Sequence, residues 1–342
     1  MNNPQVERPT MLAAVAPRPG EPVRVQSVPR PAPQAGQVLV RIHASGVNPL
    51  DTKIHAGKAA HAQQPLPAIL GLDLAGVVES VGAGVQQFRP GDAVFGMTGG
   101  VGGHPGTLAQ FGAVDAELLA IKPQNLSMRE AAALPLVFIT AWEGLVDRAG
   151  VRSGQTVLVH GGAGGIGHIA IQLARSLGAK VFATGSASQR ERIESFGATF
   201  IDYTTESVSE YVARHTAGAG FEIIFDTVGG STLDASFTAV ARFGHVVSAL
   251  GWGTHALAPL SFRGGSYSGI FTLLPLLTHQ GRAHHGEILR EAARLAESGR
   301  IELQLDPRSF TLDSVEDAYR AITEHTARGK LVVDVLEGTA QE

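Results

Sequence analysis

The stretch "HGGAGGIG" (residues 160–167) decides how the middle of this chain folds. Gly162, Gly164 and Gly167 form the pattern G-x-G-x-x-G between the strand candidate "TVLVH" and the helix candidate "HIAIQLARSLG". In such a turn the first glycine permits a tight bend, the second lets the backbone approach a pyrophosphate, and the third lets helix and strand pack closely. The stretch therefore predicts a dinucleotide-binding turn, and the alternative is an ordinary glycine-rich connection between strand and helix.

Apolar strand candidates alternate with helix candidates from residue 154 to about residue 250. Continuous apolar strands that alternate with helices are typical of a parallel, doubly wound α/β sheet, because helices cover both of its faces. A further segment, "GSYSGIF" (265–271), is a candidate sixth strand. The strand candidates are "TVLVH" (156–160), "KVFATG" (180–185), "TFIDY" (199–203), "FEIIFDTV" (221–228) and "HVVSAL" (245–250).

The carboxylate that usually holds an NAD ribose is missing after the second of these strands. The segment reads "ATGSAS", and the next acid, Glu191, lies inside the following helix candidate. An acid there would repel a 2′-phosphate, whereas Ser186 offers a hydroxyl and Arg190 or Arg192 offers a guanidinium. The pattern predicts NADPH as the cofactor; the alternative is that both arginines belong to a solvated helix face.

The first 125 residues contain short β-branched segments between glycine and proline turns, which is typical of a barrel-like β domain. Ser127 and Glu130 then form a capping box that predicts a helix start, and Pro135 predicts a second helical segment that ends near Gly150. The last residues again resemble a helix followed by a strand.

The composition excludes several classes of protein. The 342 residues contain no cysteine, which excludes disulfides and thiolate metal sites. The net charge of −4 without a basic block argues against nucleic-acid binding. The longest apolar stretch is about twelve residues, shorter than a membrane span, and the N-terminus does not resemble a signal peptide. We expect a cytoplasmic protein that binds neither nucleic acid nor membranes.

Four further segments carry a resemblance to a known family. With the glycine turn, the chain resembles the medium-chain dehydrogenase/reductase superfamily, and within it the zinc-free quinone oxidoreductase, or zeta-crystallin-like, branch. The resemblance implies a GroES-like β-barrel catalytic domain (1–125 and 298–342), an inserted Rossmann domain that binds NADP (126–297), and a homodimer joined through the edge strands of the Rossmann sheets. The segments are "SGVNPLDTKIHAG" (45–57), "GLDLAGVVESVG" (71–82), "AAALPLVFITAWEGL" (131–145) and "GRAHHGEIL" (281–289).

The zinc ligands of the related alcohol dehydrogenases have no counterpart here. Those enzymes carry a cysteine where this chain has Asn48, and a histidine where it has Leu72. Without a Lewis acid, oxidation of an alcohol through a zinc alkoxide is not expected. No metal site is therefore predicted.

The resemblance also implies the site residues. Asn48 would hold either the cofactor amide or the substrate oxygen, and the alternative is a turn residue before Pro49. Many relatives have a tyrosine where this chain has Lys53. Lys53 would either orient the substrate or pair with Asp51. The predicted catalytic residues are Asn48, Asp51 and Lys53, and the predicted cofactor-binding residues are Asn48, Thr140, Gly162, Gly164, Gly165, Ile166, Gly167, Ser186, Arg190, Tyr203, Leu250, Ile270 and Lys330.

Together these features predict a zinc-independent oxidoreductase that transfers hydride from NADPH to a quinone or an α,β-unsaturated carbonyl compound. One alternative is a reductase of enones or enoyl thioesters with little quinone activity. Another alternative is a crystallin-like protein that binds NADPH without turnover, because proteins with the same fold can have different functions.

Overall fold

The computed structural model describes residues 9–336, which form a mixed α/β fold. The strands are β1 Thr10–Ala16, β2 Arg24–Pro29, β3 Gln37–Val47, β4 Ala68–Ile69, β5 Asp73–Val81, β6 Ala93–Met97, β7 Phe111–Asp115, β8 Leu119–Ile121, β9 Thr156–His160, β10 Lys180–Gly185, β11 Thr199–Asp202, β12 Phe221–Asp226, β13 Val240–Ser248, β14 Ser266–Gly269, β15 Phe310–Thr311 and β16 Leu331–Asp334.

The helices range in length from four residues in Ala258–Ser261 to sixteen residues in Arg282–Glu297. They are α1 Pro49–His55, α2 Met128–Ala133, α3 Pro135–Trp142, α4 Gly165–Ser176, α5 Arg190–Ser195, α6 Val208–Thr216, α7 Ser231–Ala239, α8 Ala258–Ser261, α9 Leu274–Thr278, α10 Arg282–Glu297 and α11 Val315–Thr323. No helix within the described residues is long and apolar enough to cross a membrane.

The chain divides into two compact units. The first comprises the residues up to Leu136, Leu273–Glu297 and the chain from Leu303 on, and the second comprises Val137–Thr272 and Ser298–Glu302. The predicted domain boundaries assign residues 126–136 and 273–297 to the Rossmann domain, whereas these segments group with the first unit. The reason is packing: α2 contacts β3 and β5, and α10 contacts β8. The assignment of two domains by function stays a prediction.

The first unit is built on two sheets. Its smaller sheet has the order β2-β1-β4, and its larger sheet has the order β15-β16-β3-β5-β6-β8, with β7 also paired to β3. The strand β16 pairs antiparallel with β3, so that Leu331 lies opposite Val47. The end of the chain therefore returns to the sheet formed by its beginning, as the family resemblance implies.

The second unit is a six-stranded parallel sheet of order β11-β10-β9-β12-β13-β14. This order confirms the predicted doubly wound sheet and its sixth strand at "GSYSGIF". Successive strands are added on one side of β9 as far as β11 and on its other side from β12 onward, so the strand order reverses between β9 and β12. In open α/β sheets, ligands bind outside the carboxyl ends of the strands at such a point. The glycine turn follows β9 and therefore lies at this edge.

The interior of the second unit is apolar and rich in aromatic residues. Phe221, Phe225 and Phe237 are among its largest fully buried side chains. Full burial of such a side chain stabilises the folded state by roughly 1.5–3 kcal/mol. The helical segment after α3 continues as a π-helix over Glu143–Arg148. Gly144 in this segment packs on Phe225, whose ring would lie 2.9 Å from a Cβ at that position.

Candidate active site

The glycine turn of the second unit has the close packing that its sequence predicts. A Cβ at Gly162 would lie 2.7 Å from the Cβ of Ala183, and a Cβ at Gly167 would lie 2.1 Å from the carbonyl oxygen of Gly161. Side chains are therefore excluded at the first and third glycines by neighbouring atoms. At Gly164, the second glycine, the nearest such contact is the carbonyl oxygen of Gly161 at 3.2 Å.

The N-terminus of α4 provides donors for an anion. Gly164 is the N-cap, and His168 makes the first intrahelical hydrogen bond, to the carbonyl oxygen of Gly164 at 3.1 Å. The N–H groups of Gly165, Ile166 and Gly167 have no partner within the helix, because the first turn of any helix lacks preceding carbonyls. Gly164 and Gly165 are exposed. An exposed turn of this kind, with the helix dipole behind it, fits a pyrophosphate.

Polar and basic side chains follow β10, where the missing carboxylate would stand. The N–H of Ser186 donates to Oε1 of Gln189 at 3.0 Å, and its hydroxyl lies 3.1 Å from that of Ser188. The exposed Arg190 pairs with Glu194 at 3.3 Å and lies over the ring of Phe200. Stacking of this kind holds a guanidinium in place while its remaining N–H groups stay available to a phosphate.

Three predicted cofactor residues lie at or beyond the carboxyl ends of strands in the same sheet. Tyr203 follows β11 and is 61% exposed as a residue, so its side chain is available for stacking. Leu250 follows β13 and is half-buried, and its N–H donates to Oγ of Ser248. Ile270 is buried, and its N–H donates to the carbonyl oxygen of Ser248 at 2.9 Å. The side chain of Ile270 therefore contributes to the core.

Thr140 belongs to a short chain of hydroxyl groups. It is buried on α3, and its Oγ1 lies 3.1 Å from Oγ1 of Thr272. The hydroxyl of Thr272 donates to Oε2 of Glu143 at 2.9 Å. Glu143 thereby orients Thr272, a contact that the sequence analysis did not identify.

A buried histidine and a buried carboxylate lie beside the glycine turn. Nδ1 of His160, the last residue of β9, lies 3.1 Å from Oγ1 of Thr184. Burial lowers the pKa of His160 to about 4, although the charge of Asp226 opposes this shift. Asp226 accepts hydrogen bonds from the N–H groups of Val228 and Gly229 and from Oγ of Ser248. His160 is therefore neutral at physiological pH, and Asp226 ties the loop after β12 to β13.

The first unit contains a second polar group of residues where β3 ends and α1 begins. Asn48, Asp51, Asp73 and Lys330 are all buried there, with 6% or less of each residue exposed. The strand register explains their proximity. Asp73 lies opposite Gly46 across β3 and β5, and Lys330 immediately precedes β16, which pairs with β3. We call these four residues the polar cluster.

The side-chain amide of Asn48 connects the polar cluster. Its Oδ1 accepts from Nζ of Lys330 at 2.5 Å, and its Nδ2 donates to Oδ2 of Asp73 at 2.9 Å. An ammonium only donates and an ionised carboxylate only accepts, so these partners fix the orientation of the amide. Lys330 also donates to the carbonyl oxygen of Val47 at 3.2 Å. Asn48 additionally occupies the N-cap of α1, before Pro49.

Both carboxyl groups of the polar cluster have raised pKa values. Burial raises the pKa of Asp51 to about 7, against the hydrogen bond from the N–H of Asn48, which lowers it. Burial raises the pKa of Asp73 to about 6, although Lys330 and Asn48 both lower it. Burial also lowers the pKa of Lys330, and the two carboxylates oppose that shift. Such strongly shifted groups are frequent at functional sites.

The structure does not bring Lys53 into the polar cluster. Lys53 is exposed, whereas Asp51 is buried and accepts from the N–H of Asn48 at 2.7 Å. The two residues are two positions apart on α1, and side chains at this spacing do not face each other on a helix. The buried cation near Asp51 is Lys330.

Asn48 and Leu72, at the positions that correspond to zinc ligands in related alcohol dehydrogenases, are not metal donors of the usual kind. Asn48 is engaged by Lys330 and Asp73, and Leu72 is a buried apolar residue. Among the described residues, no group of three or more histidine, aspartate or glutamate side chains is arranged to hold a metal ion. The donor set does not fit a zinc ion, which prefers nitrogen and sulfur ligands.

Comparison with known proteins identifies the family. A model of the alcohol dehydrogenase GroES-like domain matches residues 34–124, and a model described as zinc-binding dehydrogenase matches residues 196–333. The chain is 37% identical to 2-methylene-furan-3-one reductase of Solanum lycopersicum, over 87% of this chain and 71% of the relative. The chain belongs to the medium-chain dehydrogenase/reductase superfamily. Its relatives place it in the zinc-free branch of that superfamily, whose members are oxidoreductases that bind nicotinamide cofactors.

Two further matches support this membership of the superfamily. The chain is 34% identical to the chloroplastic NADPH-dependent alkenal/one oxidoreductase of Arabidopsis thaliana, over 87% of this chain and 72% of the relative. A crystal structure of an alcohol dehydrogenase superfamily protein from Novosphingobium aromaticivorans is 58% identical with a TM-score of 0.94, covering 96% of this chain and all of that chain. The predicted fold class, a GroES-like domain with a Rossmann sheet, is confirmed.

Besides Glu143 and Thr272, the sequence analysis did not identify Asp73 and His160 as site residues, although both lie within quoted motifs. Asp73 is the third residue of "GLDLAGVVESVG", and His160 is the first residue of "HGGAGGIG". A polar residue at the end of an apolar strand is a signal for a site, but it is equally common at ordinary turns. Only the burial of both side chains and their polar contacts distinguish them.

Proposed function

We propose that this protein is a zinc-independent, NADPH-dependent reductase of α,β-unsaturated carbonyl compounds, which also reduces quinones. The observation that carries the proposal is the glycine turn followed by Ser186 and Arg190 in place of a carboxylate. The names of the two plant relatives, a furanone reductase and an alkenal/one oxidoreductase, support the same substrate class.

The residues of the second unit provide the cofactor site in this proposal. The N–H groups at the start of α4 bind the pyrophosphate, and Gly164 leaves room for its approach. Ser186 and Arg190 bind the 2′-phosphate, and the exposed ring of Tyr203 stacks on the adenine. Thr140, Leu250 and Ile270 are assigned to the nicotinamide half. When bound, NADPH supplies the hydride that adds to the electron-poor carbon of the substrate.

The polar cluster provides the substrate site. Hydride addition to an enone places negative charge on the carbonyl oxygen, and a fixed donor aimed at that oxygen stabilises the transition state. Nδ2 of Asn48 has two hydrogens, of which one is donated to Asp73. We assign the second hydrogen to the substrate oxygen. Lys330 holds the amide in this orientation through Oδ1 and adds positive charge.

The experiment is a pair of cofactor titrations followed by turnover. The purified protein is titrated with NADPH and with NADH, and a small 1,4-quinone or a small enone is then added while reduced nicotinamide is monitored. We expect tighter binding of NADPH and its consumption with the enone. A preference for NADH contradicts the roles of Ser186 and Arg190. Binding of NADPH without consumption favours the alternative of a non-catalytic, crystallin-like protein.

A homodimer in the cytoplasm completes the proposal. Within the described residues, β14 is an edge strand that pairs only with β13. The nearby Phe243 and Phe262 are 87% and 88% exposed, which is unusual for large apolar side chains unless a partner covers them. Light scattering of the wild type and of Phe262→Asp tests this: a dimer that becomes a monomer in the variant supports the proposal, and a monomeric wild type contradicts it.

A further inference from the structure

The polar cluster has an imbalance of charge. It contains two carboxyl groups, Asp51 and Asp73, but one ammonium group, Lys330, and all three are buried. If all were ionised, the cluster would hold an uncompensated negative charge away from water, which is costly. Uptake of one proton removes that charge. The cluster is therefore built to hold one proton that can be released.

The hydrogen bonds show which carboxyl group carries this proton. Asp73 accepts from Nδ2 of Asn48 and from the N–H of Leu136, and the charge of Lys330 is the strongest influence that lowers its pKa. Asp51 accepts from the N–H of Asn48 through Oδ2, and the backbone of Gly71 also lowers its pKa, while its Oδ1 is buried without a geometric hydrogen-bond partner among the described residues. Asp73 is therefore the better stabilised anion, and the proton belongs on Asp51. The order of the two pKa values, about 7 for Asp51 and about 6 for Asp73, agrees.

Three further titratable groups of the first unit, Tyr319, His55 and Glu316, extend from the neighbourhood of Asp51 to a half-exposed carboxylate. The hydroxyl of Tyr319 on α11 is buried without a hydrogen-bond partner among the described residues, and its pKa is raised by burial and, to a smaller extent, by the charge of Asp51. The ring of Tyr319 lies 5.6 Å from that of His55, whose Nε2 lies 3.6 Å from the half-exposed Glu316. The charged and titratable groups that interact with Asp51 are thus Asp73, Lys330 and Tyr319, and Glu316 acts in turn on Tyr319.

We propose that Asp51 stores the proton that the reduction consumes, and that Lys330 passes this proton to the substrate. The proposal rests on the proposed function. Hydride addition leaves an enolate, and its α-carbon takes a proton as an N–H bond of the Lys330 ammonium breaks. The freed electron pair on nitrogen takes the proton from the Asp51 carboxyl group, and solvent reprotonates Asp51 past Tyr319 and His55. The substrate gains one hydride from NADPH and one proton, so no further reactant is needed.

Quinones provide an internal comparison. An enone must receive a proton on carbon before the product can leave, whereas the anion formed by hydride transfer to a quinone is stable and is protonated by water. Loss of the stored proton therefore slows enone reduction more than quinone reduction. A residue with a merely structural role would affect both substrates by the same factor.

The test compares Asp51→Asn with Asp317→Asn, an exposed aspartate on α11 that pairs with Arg320. Initial rates of NADPH oxidation are measured with a small enone and a small 1,4-quinone. We expect Asp51→Asn to lower the ratio of enone rate to quinone rate at least tenfold, and Asp317→Asn to leave the ratio unchanged. An unchanged ratio in a folded Asp51→Asn protein overturns the proposal.

A second measurement uses the wild type alone and does not depend on the folding of a variant. The carboxylic acid form of Asp51 exists below its pKa, so the enone rate should fall as the pH rises through about 7, with a normal solvent isotope effect. The quinone rate should not follow this profile. An enone rate that is constant from pH 6 to pH 9 overturns the proposal. If the wild type reduces no enone at any pH, the proposed function fails instead.

Discussion

Nζ of Lys330 lies 2.5 Å from Oδ1 of Asn48, although 282 positions separate the two residues in the chain. This contact makes the last part of the chain a component of the site that begins with the first helix. It also connects the ammonium group of Lys330, the one cation of the polar cluster, to the Asn48 amide that we assign to the substrate oxygen. The contact therefore matters for stability as well as for chemistry.

Removal of the buried ammonium should destabilise the protein in a pH-dependent manner. In Lys330→Met, Asp51 and Asp73 lose their compensating charge, and breaking a buried pair in this way costs about 3–5 kcal/mol when the remaining charges persist. Both pKa values are already raised, to about 7 and about 6, so at pH 5 both carboxyl groups are protonated. Urea unfolding should show a large loss at pH 8 and a much smaller loss at pH 5. Equal losses at both pH values would show that packing, rather than charge, dominates.

Substitutions at two glycines of the turn should affect stability and cofactor binding differently. In Gly167→Ala the new Cβ would lie 2.1 Å from the carbonyl oxygen of Gly161, so the turn must shift. We expect a loss of about 1–3 kcal/mol in unfolding free energy, together with loss of NADPH binding. In Gly164→Ala the nearest contact is 3.2 Å, so stability should change little while NADPH affinity falls. Thermal unfolding and fluorescence titration measure the two effects, and full NADPH affinity in Gly164→Ala would place the pyrophosphate elsewhere.

Arg190 should determine the preference between the two nicotinamide cofactors. Loss of a charge-assisted contact with the 2′-phosphate in Arg190→Ala should weaken NADPH binding about tenfold, equivalent to about 1.4 kcal/mol. NADH binding should not change, since NADH lacks that phosphate. Arg320→Ala is a matched control, because Arg320 has similar exposure and also pairs with an acid on its own helix. An equal loss of affinity for NADPH and NADH would mean that the substitution disturbs the structure of the site, and that Arg190 does not contact the 2′-phosphate.

His160 should make the protein less stable in acid. Its pKa is about 4 in the folded state and about 6.5 in the unfolded chain, so the unfolded chain binds the extra proton between these values. Its contribution to stability is fully present above pH 6.5 and decreases as the pH falls towards 4, by at most about 3 kcal/mol. In His160→Gln this part of the pH dependence should disappear. The control is His284→Gln, a half-exposed histidine paired with Glu287, which should retain the wild-type slope. An unchanged slope in His160→Gln would contradict the assignment of a neutral, buried imidazole.

The local features of this protein were determined by its sequence. The glycine turn, the capping box at Ser127 and the apolar strands of the parallel sheet depend on contacts between residues close in sequence or on the burial pattern of a single strand. Such features are encoded by residue type and spacing, and the structure confirms them. The absence of a carboxylate after β10 is equally visible in the sequence, and the preference for NADPH that it predicts stays a prediction.

Only the tertiary structure decided which distant residues meet. The pairing of β3 with both β5 and β16 places Asn48, Asp73 and Lys330 side by side, and no local pattern specifies that register. The position of α10 is likewise set by long-range packing, because its amphipathic sequence predicts a buried face but not that this face contacts β8. Burial then changes the chemistry, because a carboxyl group such as Asp51 has a pKa of about 7 only where water is excluded and its partners are few. Residue type gave the candidates, and the long-range packing of the sheet determined which of them share a site.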